Sequence, residues 1–276
     1  MSNANRFHLH LVSDATGETL TTIANAAVVQ FEGAEPVQHL WPMIRSSAQV
    51  STVIAGIEAE PGLVLFTLVN PETRNALEEG CRRLGVRHLS AIDPVMMILR
   101  EFLGSQTTGR PGTQHEMNRE YFERIEAMHY TLSHDDGQQT EDLDRADIVL
   151  VGVSRSSKTP TSMYLANRGL KVANVPMVPG VDLPDELFGL KYALVVGLTT
   201  APERLSQIRR NRLLSLKETQ TSDYADENLV RDELQEARKV FAKQRWPVID
   251  VTRKSIEETA AAILTLYQRR QSEQEA

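Results

Sequence analysis

The sequence predicts an α/β protein, in which a small N-terminal parallel α/β unit is followed by a P-loop kinase-like α/β domain. Two observations predict this class. Short apolar runs rich in Val, Leu and Ile alternate with longer helical patterns along most of the chain, and this alternation indicates parallel sheets covered by helices. One apolar run, at 148–151, leads into small polar residues that end in Lys158 and Thr159. That order of strand, polar loop and helix is typical of a phosphate-binding loop.

The first hundred residues contain four successive strand–helix pairs. We predict strands at 6–13, 36–41, 63–69 and 86–91, and helices that end near 31, 60, 84 and 103. Pro71 stands at a first-turn position of the third helix, and Asp93-Pro94 is typical of a cap followed by a first helical residue. Residues 1–104 are therefore predicted to form a small doubly wound unit.

A polar turn, SDATGET at 13–19, joins the first predicted strand to the first helix. A strand that enters such a loop ahead of a helix is typical of a ligand-binding βα turn. The same residue types also serve simply to cap helices. The sequence leaves both interpretations open.

The segment 105–143 is predicted to connect the two units. The run 104–114 is polar and rich in Gly, as linkers are, and a predicted helix at 115–133 ends in His134-Asp135-Asp136-Gly137. Carboxylates are unfavourable at a helix C-terminus, because the helix dipole is negative there. Asp135 and Asp136 are therefore candidates for a catalytic base or a Mg²⁺ ligand, and His134 either joins them or complements the helix end.

The loop at 152–159 (hereafter loop 152–159) matches the template G-x-x-x-x-G-K-[ST] at all positions but one, where Ser157 replaces the second Gly. Such loops present backbone N–H groups to phosphate, a Lys to the outer phosphates and a hydroxyl to Mg²⁺. A Ser can present its N–H, with less freedom at positive φ than Gly. We predict that Lys158 is catalytic, that Thr159 meets Mg²⁺, and that the phosphates are bound by Gly152, Val153, Ser154, Arg155, Ser156, Ser157, Lys158 and Thr159. The alternative is an ordinary polar βα turn.

Residues 144–276 are predicted to form the nucleotide-binding domain. We expect strands at 147–152, 171–176, 191–197 and 247–251, and helices at 159–168, 201–213, 227–244 and 254–270. The last helix begins with Ser255-x-x-Glu258, which is a capping box.

The predicted helix 201–213 carries four arginines where small P-loop kinases have a lid: Arg204, Arg209, Arg210 and Arg212. Transfer of a phosphoryl group requires positive charge beside the moving phosphate. We expect at least one of the four to contact phosphate, and Arg209 is our catalytic candidate. The alternative for each is a solvated basic face.

Composition limits the remaining function classes. The 276 residues are 41% hydrophobic and 24% charged, with a net charge of −7, so the chain has no electrostatic footprint for nucleic acid or an anionic membrane. No apolar run approaches the ~20 residues of a membrane span, and no signal peptide is evident. We therefore expect a cytoplasmic protein. The single cysteine, Cys81, excludes an internal disulfide and a Cys-rich metal site, and its helical setting predicts a buried small hydrophobe.

Several segments resemble the bacterial and plant regulatory proteins of pyruvate, phosphate dikinase and of phosphoenolpyruvate synthase. They are SDATGET (13–19), RPGTQH (110–115), YFERIEAM (121–128), HDDG (134–137), the block 152–180 and WPVIDVTRKSIEETAA (246–261). The block 152–180 is highly specific. Its NVPMVPG ending and the run RNRLLSL (211–217) are similar to the dikinase branch.

The resemblance implies two activities. One phosphorylates, with ADP as donor, a Thr beside the catalytic His of the dikinase and so inactivates it. The other uses inorganic phosphate to remove that phosphate and releases pyrophosphate. Mg²⁺ is expected at the site, and the dikinase is the expected protein partner. Two roles stay open for the N-terminal unit, namely docking of that partner and support of a homodimer.

In this interpretation loop 152–159 and Lys158 hold the diphosphate, and either Asp135 or Asp136 orients the attacking hydroxyl. The sequence leaves three alternatives. A small-molecule P-loop kinase of the shikimate or adenylate type would use ATP and need no protein partner. The same chemistry could act on phosphoenolpyruvate synthase. A nucleotide-binding switch would bind ADP and transfer nothing.

Overall fold

The structure is a computed structural model that describes three ranges of residues, 5–109, 119–215 and 223–275. The chain divides into two compact units, 1–116 and 117–276. The predicted motif at 110–115, the first residues of the predicted helix 115–133 and the last two of the run 211–217 lie outside the described residues.

A four-stranded parallel sheet forms the centre of the N-terminal unit. Its strands are β1 (Asn5–Ser13), β2 (Ala34–Trp41), β3 (Gly62–Thr67) and β4 (His88–Ser90), and its helices are α1 (Glu18–Val28), α2 (Ser47–Ala59), α3 (Pro71–Leu84) and α4 (Asp93–Leu103). The strand order is β2-β1-β3-β4. Side chains alternate along β1, so that Leu9 and Leu11 pack against α1 while Val12 joins the core under α2 and α3.

All four predicted strand–helix pairs of this unit are present. The predicted start of α3 at Pro71 is confirmed, and Asn70 caps it by accepting from the N–H of Glu72 at 2.8 Å. The predicted bounds of α4 are confirmed, but the cap predicted at Asp93 is wrong by one residue, because Ile92 is the N-cap. The helix begins at Asp93, and the hydroxyl of Ser90 accepts the Asp93 N–H at 3.1 Å.

Cys81 lies in the core between the sheet and α2 and has no exposed surface. Burial raises the pKa of its thiol to about 11, so it stays protonated at neutral pH and packs as a small hydrophobe. The sequence prediction for this residue is confirmed.

The C-terminal unit contains a second parallel sheet with the order β6-β5-β7-β8. Its strands are β5 (Ile148–Val153), β6 (Val172–Met177), β7 (Leu194–Thr199) and β8 (Val248–Asp250). Its helices are α5 (Arg119–Ser133), α6 (Lys158–Ala166), α7 (Pro202–Ser215), α8 (Glu227–Gln244) and α9 (Ile256–Glu275). In each sheet the first strand of the unit is central, with the second on one side and the third on the other. The predicted α/β fold class is confirmed.

Helices cover both faces of the second sheet. Apolar residues of α6 and α9 pack on one face, and those of α5, α7 and α8 pack on the other. Phe241 of α8 lies directly on Gly197 of β7, where a Cβ would be 2.7 Å from the ring. The helix α5, grouped above with the linker, packs on α6 and β6. Among the described residues, no helix combines the length and the hydropathy that a membrane crossing requires.

Candidate functional site

Loop 152–159 leaves the carboxyl end of β5, the central strand of its sheet. Gly152 has no room for a side chain, since a Cβ would lie 2.7 Å from the Leu198 carbonyl oxygen and 2.9 Å from the Ser156 hydroxyl. The Ser156 hydroxyl donates to the carbonyl of Val153 at 2.9 Å. The first turn of α6 follows, and helix N-termini carry N–H groups without intrahelical partners. This arrangement is suited to an anion.

Two residues of the loop adopt the left-handed conformation. Arg155 has a φ of 70° and Ser157 a φ of 64°. Ser157 stands where the template has Gly, and the structure gives it the backbone angle for which Gly is usually required. A side chain in this region costs about 1–2 kcal/mol, so the loop geometry is maintained against a local strain.

Lys158, the first residue of α6, is only 5% exposed, and its Nζ donates to the carbonyl of Val153 at 2.9 Å. Burial lowers the pKa of its ammonium group to about 8, and the nearby carboxylates of Asp136 and Asp135 partly oppose that shift. A buried cation with few compensating charges is stabilised by an incoming anion. The structure thus places the predicted catalytic Lys inside the loop.

The acidic turn that follows α5 lies against the first turn of α6. The Thr159 hydroxyl donates to a carboxylate oxygen of Asp135 at 3.0 Å. The side-chain amide of Asn174, in β6, donates both to Asp135 and to the Thr159 oxygen, the latter at 3.0 Å. Asp136 is exposed and has a φ of 52°. Folding therefore brings the predicted carboxylates and the predicted loop together.

Asn174 is a member of this group that the sequence analysis missed. It is 1% exposed and occupies a strand otherwise built of apolar residues and one Pro. A single polar residue in an apolar strand was the available signal, since a buried amide needs hydrogen-bond partners. The residues next to Asn174 in the sequence do not identify its hydrogen-bond partners.

The oxygen atoms of Asp135 and Thr159 are the donor type that Mg²⁺ prefers. The amide nitrogen of Asn174 faces both of these oxygens and orients them, and its side-chain oxygen is buried without a hydrogen-bond partner among the described residues. The residues present therefore fit a hard divalent cation that is also held by substrate phosphates.

His134 holds the acidic turn in place. Its Nδ1 lies 2.7 Å from the carbonyl of Tyr130, its Nε2 lies 2.6 Å from the Asp142 carboxylate, and its ring stacks on that of Tyr130 at 3.7 Å. The hydrogen bond from His134 lowers the pKa of the Asp142 carboxyl. The backbone carbonyl of His134 accepts from the N–H of Asn174 at 2.9 Å. Of its two predicted roles, the structure gives this buried histidine the structural one.

Arg209 of α7 is 1% exposed, and its guanidinium forms a bidentate pair with Glu233 of α8, at 3.0 and 2.7 Å. It also donates to the backbone carbonyls of Tyr224 and, at 3.3 Å, of Ser154. The sequence predicts that this side chain neutralises charge on the phosphate. In the structure this side chain supports the backbone of loop 152–159 through the Ser154 carbonyl, and its contact with phosphate stays a prediction.

The other three arginines of α7, namely Arg204, Arg210 and Arg212, are exposed. A cavity of about 580 Å³ lies beside Val153, between the segment 177–181 and α8. Its walls include the apolar residues Met177 and Val181 and the acidic Glu233. The cavity and Asn174 share a strand, since Met177 lines the cavity and lies in β6 with Asn174.

The N-terminal turn at 13–19 is tied to β3 rather than to α1. The Ser13 hydroxyl accepts from Thr67 at 3.0 Å, and the buried Asp14 carboxylate accepts from the N–H of Val69 at 2.8 Å. Burial raises the pKa of the Asp14 carboxyl. The cap of α1 is Gly17, with a φ of 83° and no side-chain hydrogen bond. The capping interpretation of the turn is therefore wrong, and ligand binding stays a prediction.

Comparison with known proteins places this site in a family context. The family model described as kinase/pyrophosphorylase matches residues 9–264. A protein of Paramagnetospirillum magneticum is 59% identical over 263 residues, which are 95% of this chain and 85% of that protein. One of Rhizorhabdus wittichii is 55% identical over 271 residues, covering 98% and 99% of the two chains. One of Erythrobacter litoralis is 56% identical over 265 residues, covering 96% and 95%. Each is provisionally named a pyruvate, phosphate dikinase regulatory protein.

Proposed function

Because the chain belongs to the kinase/pyrophosphorylase family of kinase-like transferases, we propose that it regulates pyruvate, phosphate dikinase by reversible phosphorylation of one threonine of that enzyme. The names of the relatives support the choice of partner. One structural observation supports the chemistry above all. A buried Lys158, the Thr159 hydroxyl and two carboxylates converge on one anion-binding loop.

In the inactivating direction the donor is ADP. Its diphosphate lies along loop 152–159, where Lys158 and the N–H groups at the start of α6 balance its charge. The oxygen of the target Thr forms a bond to the β-phosphorus, the bond from that phosphorus to the bridging oxygen breaks, and AMP leaves. The hydroxyl proton passes to a carboxylate of the protein. The nucleophile and the leaving oxygen lie in line, so positioning supplies most of the catalysis.

Asp136 is the better candidate to receive that proton. It is exposed at the mouth of the site, whereas Asp135 is committed to Thr159 and Asn174. A general base must reach the proton that it removes. We therefore assign orientation of the loop to Asp135 and the proton to Asp136.

In the activating direction inorganic phosphate occupies the same cradle. An oxygen of this phosphate attacks the phosphorus of the phosphothreonine, the bond to the threonine oxygen breaks, and pyrophosphate is formed. The threonine oxygen takes up a proton, which Asp136 in its protonated form can return. One set of residues thus serves both directions, because each is an in-line transfer between a bound phosphate and the same Thr.

Asp135 and Thr159 are the residues that would hold Mg²⁺, with Asn174 orienting both, and the ion would offset the charge of the diphosphate when bound. We assign the target segment of the dikinase to the cavity beside Val153, since Val153 belongs both to the cavity wall and to loop 152–159. Its apolar walls suit a buried side chain near the acceptor Thr.

The proposal is tested with the purified protein and the dikinase of the same cell. ADP, but not ATP, should yield phosphothreonine on the dikinase, and added phosphate should then remove it with release of one pyrophosphate per Thr. Lys158→Ala should abolish both reactions, while Lys239→Ala, at an exposed position of α8, should leave both intact.

Transfer from ATP to a small molecule without the dikinase would overturn the proposal, as would full phosphothreonine formation by Lys158→Ala. Phosphoenolpyruvate synthase, offered in a parallel reaction, should not be modified.

A further inference from the structure

Three residues with metal-binding side chains meet in the N-terminal unit, apart from loop 152–159. They are His8 of β1, His39 of β2 and Glu60, which directly follows α2, and one potential ligand atom from each lies within 4.8 Å of the others. The Nδ1 of His8 is 2.9 Å from the Nε2 of His39. The Nδ1 of His39 is 3.5 Å from a carboxylate oxygen of Glu60.

The sheet brings this group together through its register. His10 of β1 is paired with His39 of β2, and His8 lies two residues earlier on the same face, because side chains alternate along a strand. Because β1 and β2 are neighbours in the sheet, the ring of His8 reaches that of His39, and the His8 Nδ1 contacts the His39 Nε2. On the other side of β1, His8 is paired with Gly62 of β3. A Cβ at position 62 would lie 2.1 Å from the His8 carbonyl oxygen, so the absence of a side chain there allows β1 and β3 to pair at this position.

A rigid support lies directly behind the three residues. The fully buried His10 donates from its Nε2 to the backbone carbonyl of Glu60 at 2.8 Å and accepts from the Trp41 indole at 3.2 Å. Its ring also stacks on that of His39 with centroids 4.6 Å apart. The donors are thus held by residues that fix their orientation, as in established metal sites.

We propose that His8, His39 and Glu60 form a binding site for a divalent transition-metal ion of the zinc class. Two imidazoles and one carboxylate are a donor set that zinc accepts, whereas calcium and magnesium prefer oxygen alone. The facing ring nitrogens of His8 and His39 lie at hydrogen-bond distance, and the metal ion would lie between them in place of that hydrogen bond. Two nitrogens bound to one zinc ion lie roughly 3.3 Å apart, given Zn–N distances of about 2.0–2.1 Å, so the observed 2.9 Å must open by only a few tenths of an ångström.

Access to the site is from the side of Glu60. The side chain of Glu60 is 51% exposed and that of His39 is 20% exposed, so an ion can enter without unfolding, and water can complete its coordination. A bound ion would link β1, β2 and the end of α2. The site is independent of the phosphoryl-transfer chemistry proposed above, since it uses none of the same residues.

The test is a titration of the full chain with Zn²⁺ in competition with a chromophoric chelator, in excess Mg²⁺ to occupy oxygen-rich sites. We expect one equivalent to bind. His39→Gln and Glu60→Gln should each weaken binding at least tenfold, as loss of a ligand does. His88→Gln, which removes another histidine of the same unit outside the cluster, should bind as the parent does.

Thermal unfolding gives a second measurement. Zn²⁺ should raise the Tm of the parent and of His88→Gln and should leave that of Glu60→Gln unchanged. Because the Glu60 side chain is half exposed, this variant keeps the fold, and the circular dichroism spectra of the metal-free proteins verify it. Failure of the parent to bind at equimolar Zn²⁺, or equal affinity in Glu60→Gln and the parent, would overturn the site.

Discussion

The hydroxyl of Thr159 donates a hydrogen bond of 3.0 Å to the carboxylate of Asp135, 24 residues earlier in the chain. One residue lies in the first turn of α6, and the other lies in the turn that follows α5. The bond commits Asp135 to loop 152–159 and leaves its neighbour Asp136 exposed. The two adjacent carboxylates therefore have different environments, and we expect them to respond differently to substitution.

Asp136→Asn should lower kcat by about 10²–10⁴, the range in which a general base contributes, and should change the affinity for ADP less than twofold. Asn tolerates the left-handed backbone of this position, so the fold is preserved. Steady-state kinetics with the dikinase as substrate separates the two parameters. A variant that lost ADP binding and kept its rate would show that Asp136 is not the base.

Asp135→Asn should reduce both kcat and the affinity for ADP, since it weakens the contact that holds Thr159. Asp144→Asn makes the same change at an exposed position of the segment between the two elements and should alter neither parameter. ADP affinity can be measured by isothermal titration calorimetry. If Asp135→Asn bound ADP as tightly as the Asp144 control, the orienting role of Asp135 would be wrong.

The affinity for ADP should fall as pH rises above 8. Burial lowers the pKa of Lys158 to about 8. The side chain is therefore a charged ammonium below that pH and a neutral amine above it. With one proton required, affinity should decrease about tenfold per pH unit above 8. Calorimetric titrations between pH 7 and 9.5 measure this slope. Lys158→Met, which carries no ammonium, should bind weakly with no slope in that window.

The stability of the protein without ligand should change in the opposite direction. The folded pKa of Lys158 lies below the ordinary 10.5 of the unfolded chain, so the unfolded state binds more protons between pH 8 and 10.5 and stability rises across that window. At pH 7 the burial of the charged Lys158 lowers the free energy of unfolding by its full amount, on the order of 3 kcal/mol. Lys158→Met should therefore be more stable than the parent in urea at pH 7, by a margin that narrows towards pH 10. An unchanged margin would contradict the lowered pKa.

Arg209→Met should destabilise the protein by up to about 3 kcal/mol, because it leaves the Glu233 carboxylate, whose side chain is 14% exposed, without its partner. It should also weaken ADP binding, since the Ser154 carbonyl of loop 152–159 loses a donor. Arg210→Met, at the exposed neighbouring position, should change stability by less than about 0.5 kcal/mol. Urea denaturation and ADP titration of both variants provide the comparison. A stable Arg209→Met that lost only catalytic rate would restore the direct phosphate contact expected from the sequence.

Ser157→Gly should retain activity and stability within about 1 kcal/mol, because relief of the left-handed strain is offset by the greater backbone entropy of Gly. Ser157→Val should be clearly less stable and should weaken ADP binding, since a β-branched residue at a φ of 64° is strongly disfavoured. Ser51→Val makes the same change on the exposed face of α2, where its effect should stay below about 0.5 kcal/mol. Equal urea midpoints for the two Val variants would mean that Ser157 does not need this backbone angle.

Much of the fold was predictable because its signals are local. Runs of strand length, followed by a helical pattern in every case except 171–176, identified the eight strands of the described residues, and the Pro71 and Ser255-x-x-Glu258 signals placed two helix starts. The errors lay at element ends, as with the helix cap predicted at Asp93 and found at Ile92. The capping interpretation of Ser13 and Asp14 failed for a different reason. The partners of these residues lie in and just after β3, and a capping pattern says nothing about contacts to another strand.

By itself, the sequence determined the alternation of strands and helices, the position of loop 152–159 and the candidacy of Lys158, since each depends on residues within one or two turns of chain. Only the tertiary structure decided that Asp135 contacts Thr159, that Asn174 joins them and that Arg209 donates to the Ser154 carbonyl of the loop. These pairings depend on the strand order β6-β5-β7-β8 and on which helix covers which face. Periodicity along a chain assigns a side chain to a face, but the partner across that face is determined by long-range packing.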